Sequence, residues 1–291
     1  MSDFCIDAEL IKTQIFRDPV IPAYAGMSEQ GIFRSLHYLR VHHRSPVLEI
    51  IVLFFITVFL SYSSTGWAGG RMVVGNFSAK PQDGVYPDHW ELLVFDGIDE
   101  HTVYTHLFDG DIGSVQATSR GSSSGLVRKI DIDPKLYSTI TFRWKIQDIE
   151  ESADLTRKQG DDAPARVYVT FAYDSAQVSW WEMVKFEAVK LFYGEYPPIA
   201  SLVYVWASQA EKGVIMESPY TSRVKIVVLE SGAEKKGQWL SEKRNILADY
   251  RAAFGSEDVP MIYGVAIMTD TDNTGGQAVA WYGDIVFSDP H

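Results

Sequence analysis

The sequence is short of reactive side chains. Its 291 residues include one cysteine, Cys5, and seven histidines. No G-x-S-x-G elbow is present, and the small-residue turn at 121–125 lacks the Gly-Lys-Ser/Thr of a phosphate loop. Beyond residue 68 the histidines are His89, His101, His106 and His291, and cysteine is absent. That part of the chain therefore has neither disulfides nor thiol chemistry. His101 and His106 have no helical pattern around them and no cysteine nearby, which argues against zinc. Basic residues are in deficit as well, with a formal charge of −12. A nucleic-acid partner needs a basic surface and is not expected.

Apolar residues are plentiful at 46%, enough for a sizeable core. The first 68 residues read differently from the rest. An apolar run at 50–60 follows Arg34, Arg40 and Arg44 and is too short for a standard transmembrane helix. Gly66 and Ala68 then stand at the −3 and −1 positions of a cleavage site. This is the layout of a secretory signal peptide over about 41–68, and the expected location is periplasmic or secreted. A single anchoring helix is the alternative; an uncleaved segment would then be the only membrane contact. The stretch "VIPAYAGMSEQG" reads like translated intergenic repeat sequence, and a start at Met27 or near Val41 would give a more ordinary signal peptide. The expected division is a non-globular extension plus signal peptide over 1–68 and one domain over 69–291. The segment 1–68 has five basic and six acidic residues, so the acidic excess lies in the domain.

Nine short apolar, β-branched and aromatic runs follow. In "TITFRWKI", Ile140, Phe142, Trp144 and Ile146 share one face and Thr141, Arg143 and Lys145 the other. In "ARVYVTFAY", Val167, Val169 and Phe171 oppose Arg166, Tyr168 and Thr170. Such alternation marks half-buried strands, and nine of them point to one antiparallel sandwich or barrel. Two segments break the pattern. Residues 179–198 have helical spacing at Trp181, Val184, Ala188 and Leu191 and stop at Gly194 and Pro197. They form either a helix packed on the sheet edge or a partner-facing one. Residues 245–255 form a capping helix ended by Gly255.

The polar candidates concentrate in two places. In "TDTDNTGG", Asp270, Asp272 and Asn273 precede Gly275 and Gly276. The spacing echoes the start of a calcium loop, but Trp281 stands where an EF-hand needs Glu. Three readings remain: a polar hairpin turn, a different calcium loop, and a ligand loop without metal. In "GDDAPARVYVTF", Asp161 and Asp162 precede Arg166. Adjacent residues on an extended strand point to opposite faces, so the two acids make a poor catalytic pair, and a turn with a salt bridge to Arg166 is favoured. Trp144, Trp206, Trp239 and Trp281 lie on or beside strands, either in the core or as flat platforms for sugar rings.

Several motifs occur in order across the domain, among them "SSSGLVRKIDIDPKLYSTITFRWKI", "DLTRKQGDDAPARVYVTF", "GQWLSEKRNILADYRAAFG" and "GVAIMTDTDNTGGQAVAWYGDIVF". On these the chain resembles the bacterial domain of unknown function 3047, a family without assigned activity. Through "VFDGI", the turn before "GLVRKID" and the final "WYGDIVF", it is more loosely similar to galactose-binding-like jelly rolls, the fold of many carbohydrate-binding modules. That likeness implies an antiparallel jelly-roll β-sandwich with one or two short helical insertions. It also implies a structural Ca²⁺ at Asp284, with Asp96 near it. The resulting expectation is a non-catalytic binder of a glycan or other cell-envelope component. Its ligand-binding set is Asp161, Asp162, Arg166, Asp270, Asp272, Asn273 and Trp281. Two alternatives are a glycan hydrolase or lyase using the paired carboxylates and an interaction protein using helix 179–198.

Overall fold

The computed structural model describes residues 70–80, 86–109, 112–175, 190 and 198–289. The expected extension, signal peptide and nearly all of helix 179–198 lie outside the described residues. Within them the chain forms fourteen strands and one α-helix. The strands are β1 (Arg71–Gly75), β2 (Glu91–Leu93), β3 (Val103–Asp109), β4 (Ile112–Arg120), β5 (Gly125–Ile132), β6 (Thr139–Ile146) and β7 (Ala163–Phe171). They continue with β8 (Ala200–Ala207), β9 (Ile215–Glu217), β10 (Val224–Ser231), β11 (Leu240–Asn245), β12 (Ile262–Asp270), β13 (Gln277–Tyr282) and β14 (Ile285–Ser288).

Two seven-stranded sheets result, in the jelly-roll sandwich expected. The first runs β1-β14-β6-β13-β4-β3, with β11 on the other edge of β6; the second runs β2-β5-β12-β7-β8-β10-β9. All pairs are antiparallel except β8 with β10, which are parallel. The alternation in β6 holds: Ile140, Phe142, Trp144 and Ile146 face the core while Thr141, Arg143 and Lys145 face away. The alternation in β7 does not leave a solvated face. Val167, Val169 and Phe171 join the main core, yet Arg166 and Thr170 on the other side are also buried. That outer face is itself apolar over this stretch: Ala163, Val203, Val205, Ile226 and Val228 of the sheet's own strands are buried and pack together with Leu155. The outer face of the first sheet carries polar, half-exposed side chains instead.

The core sorts the tryptophans. Trp144 and Trp206 are fully buried, 6.1 Å apart across the sandwich, so neither is a sugar platform. The capping helix α1 (Ile246–Phe254) forms as its sequence implies. Asn245 accepts the Ala248 N–H at 2.9 Å, and Gly255 ends the helix at φ 69. Gly113 answers a different need, because β4 passes directly beneath the chain at Phe77. A Cβ there would lie 2.2 Å from the Phe77 carbonyl oxygen and 2.9 Å from Ser78 Cα. Backbone cannot yield as a side chain can, so Gly113→Ala should cost about 2 kcal/mol or more in urea unfolding. A loss of a few tenths would show that the contact is not there.

Candidate functional site

Sequence "TDTDNTGG" is not a hairpin. β12 belongs to the second sheet and β13 to the first, so residues 271–276 cross from one to the other at the end of the sandwich. The crossing is bonded on both sides. Thr271 N–H donates to Ser122 O and Gly121 N–H to Gly276 O, tying it to the loop between β4 and β5. Asp162 accepts Asn273 N–H at 3.2 Å and Thr274 N–H at 2.7 Å, one on each carboxylate oxygen. Gly275 takes φ 72, which lets its N–H turn back to Thr271 O.

Arg166 lies beneath this crossing. Its Nε donates to Asp270 Oδ1 at 3.0 Å, and its Nη2 to Asp161 Oδ1 at 3.0 Å and Asp161 O at 2.8 Å. Asp270 Oδ1 also accepts Ala163 N–H. Arg166, Asp161, Asp162 and Asp270 are all 5% exposed or less. Tyr282 reaches across the core to the same strands. Its hydroxyl donates to Met268 O at 2.6 Å and accepts Arg166 N–H at 3.3 Å. Burial works against the charge on Arg166, but Asp161 and Asp270 outweigh it and raise its pKa. For Asp270 burial wins: it pushes the carboxyl up to about 8, against the pull of Arg166 and aided by Asp162, Asp161 and Asp272. The structure thus brings six of the seven expected ligand residues together, Asp161, Asp162, Arg166 and Asp270 buried and Asp272 and Asn273 half-buried beside them. The salt bridge to Arg166 forms, and the acids are turned toward protein donors. A glycosidic bond cannot reach Asp161, Asp162 or Asp270 from solvent, which leaves a hydrolase or lyase reading of them without access.

One oxygen each of Asp162, Asp270 and Asp272 lies within 4.8 Å of the others. Such donors suit a hard cation in kind. They do not offer it a fully open set of oxygens. Both Asp162 oxygens and Asp270 Oδ1 already accept N–H groups, and the Arg166 guanidinium supplies the positive charge an ion would bring. Nor do the residues expected to hold Ca²⁺ fit it. Asp284 accepts Ser78 N–H and Oγ–H at 2.7 Å each through its two oxygens, and Asp96 is exposed on a turn.

Trp281 stands apart from the network. Tyr282 points into the core, so its neighbour points out of the first sheet. In register, Trp281 lies beside Lys145 of β6 and Gln116 of β4. Lys145 Nζ sits 4.2 Å from the Trp281 ring centroid and 5.3 Å from that of Trp239, just before β11. Arg143 Cζ sits 4.8 Å from Trp239. Gly283 lets Arg143 lie flat, since a Cβ there would be 2.2 Å from Arg143 Nε. Trp239 is 37% exposed. Two indoles and two cations thus form one solvated patch. The sequence displays Arg143 and Lys145 on one face of β6; it does not show that β11 and β13 flank that strand.

Among solved structures, the chain is similar to the family 11 carbohydrate-binding module of the cellulosomal cellulase Lic26A-Cel5E of Clostridium thermocellum. Identity is 12%, the TM-score 0.39, and coverage 76% of this chain and 96% of that one. It is also similar to a family 12 xyloglucanase from Bacillus licheniformis, at 11% identity and TM-score 0.38, covering 75% and 99%. A third is endoglucanase 3 of Trichoderma harzianum, at 6% identity and TM-score 0.36, covering 78% and 99%. No curated protein matches the sequence. The family described as "Protein of unknown function (DUF3047)" matches residues 88–286, from the turn before β2 to the middle of β14, and the chain belongs to that family.

Proposed function

We propose that the protein is a non-catalytic glycan-binding sandwich whose contact surface is the outer face of the first sheet. One observation carries this reading: Trp281, in register with Lys145, and Trp239, just before β11, both hold their rings within 5.3 Å of Lys145 Nζ on a solvated sheet face. Exposed indoles on a flat sheet offer apolar surface to the C–H face of a sugar ring, with polar tips beside them for hydroxyls. Gln116 and Thr118, half-exposed on the same face, are such tips. The signal-peptide layout at 41–68 supports action outside the cytoplasm, where an envelope or extracellular glycan is met. Cell fractionation that found the protein only in the cytoplasm would remove that part.

A glycan array followed by calorimetry tests the rest. Trp281→Ala and Trp239→Ala should each weaken the best ligand about tenfold or more, that is by about 1.4 kcal/mol. Both rings lie outside the core, so the melting temperature should hardly change. Binding that survives both substitutions, or an array with no ligand at all, overturns the proposal.

A further inference from the structure

The outer face of the first sheet has a charge opposite to that of the protein. Strand register assigns its outward side chains. Arg71 on β1, Arg120 on β4, Arg143 and Lys145 on β6, and Lys243 on β11 all project from it. Glu242 of β11 lies opposite Phe142 and so belongs to the inner side. Five cations thus project from the described strands of one face in a chain whose formal charge is −12. None of the five has a carboxylate within ion-pair distance among the described residues.

We infer that this face takes an acidic polysaccharide, a polyuronate with a carboxylate on each sugar. The inference rests on the glycan-binding reading above and names the class of glycan. The indole faces are not vacant: Lys145 lies over both and Arg143 over Trp239. A neutral sugar that stacks there must displace those cations and lose their attraction to the rings, about 0.5–1 kcal/mol each at exposed sites. An acidic sugar accepts the same cations through its carboxylate while its ring takes the indole face. The spacing also suits a chain that alternates charge and apolar ring. Arg143 and Lys145 project about 7 Å apart along β6, and the flanking strands that carry the indoles lie about 4.8 Å to either side. A nucleic acid would bring one phosphate for every few ångströms against an acidic protein, and its affinity depends mainly on backbone neutralisation. That balance favours the polyuronate.

The test uses the full chain and three probes: polygalacturonate, the same polymer fully methyl-esterified, and a neutral mixed-linkage glucan. Polygalacturonate should bind about tenfold tighter than its ester at about 50 mM salt, and the advantage should fall away by about 300 mM as the charges are screened. Arg143→Gln with Lys145→Gln should reduce polygalacturonate to the level of the ester. Gly283→Ala, which displaces Arg143, should move it part of the way. Trp281→Ala should weaken both polymers. Equal affinity for acid and ester, or tighter binding of the glucan, overturns this inference and leaves the glycan reading standing. Failure of all three to bind overturns both. A single-stranded oligonucleotide bound more tightly than polygalacturonate through the same residues also overturns it and assigns the face to nucleic acid.

Discussion

Replacing Arg166 by Met is expected to lower stability by about 3–5 kcal/mol, the range for breaking a buried ion pair from one side. The methionine fills a similar volume, so the cost is not a cavity. It comes from Asp161, left buried without its cation, and from Asp270, which loses the guanidinium donor at 3.0 Å. Ala163 N–H hangs on the Asp270 carboxylate, and Tyr282 ties the Arg166 backbone to Met268, so these strand ends should loosen together. For a domain of this size the melting temperature should fall by roughly 10 °C. The control is the triple change Arg166→Met, Asp161→Asn, Asp270→Asn, which removes the stranded charge and should recover more than half of the loss. A single-variant loss below about 1 kcal/mol would mean that the network carries little of the fold's stability.

Stability should also decline as the solution becomes more alkaline, between about pH 4 and about pH 8. Asp270 supplies the sign. Its folded pKa is about 8 and its ordinary value 3.8, so across this window the folded state holds a proton that the unfolded state has released. Stability from this group is whole below about pH 4 and gone above about pH 8. At about 1.4 kcal/mol for each pKa unit, the decline amounts to a few kcal/mol. Glu230, whose pKa is lowered by Lys212 and Lys235 against burial, acts in the opposite sense, but only on the acid side of its ordinary value of 4.5. Asp270→Asn keeps the shape and cannot ionise. It should flatten the profile and leave the variant more stable than the parent at pH 8. A parent profile that is level from pH 5 to pH 8 would show that Arg166 and the Ala163 N–H hold Asp270 ionised.

Much of the fold was legible. Period-two alternation in "TITFRWKI" gives the inner and outer faces of β6 correctly because that strand has core on one side and water on the other. The Asn245 cap and Gly255 stop bracket α1 because capping is local chemistry. Other strands left no such trace. β11, "LSEKRN", reads as a charged loop; it is a strand because β6 offers a free edge along its whole length. β7 alternates in sequence like a half-exposed strand, yet Arg166 is buried, since the outer face of its sheet is apolar there and Asp161 and Asp270 accept the guanidinium N–H groups.

The same division runs through "MTDTDNTGGQAVAWYGDIVF". The chain's own residues determined a tight polar turn, with Gly275 free to turn and an outward Trp281 beside an inward Tyr282. Local sterics and strand alternation are enough for that. Only the tertiary structure decided that the flanking strands lie in different sheets, that Asp270 meets Arg166 and Asp161 in the dark, and that Trp281 shares Lys145 with Trp239. Those pairings join residues from 94 positions apart (Lys145 and Trp239) to 136 (Lys145 and Trp281). They depend on strand order and register, which no local pattern encodes.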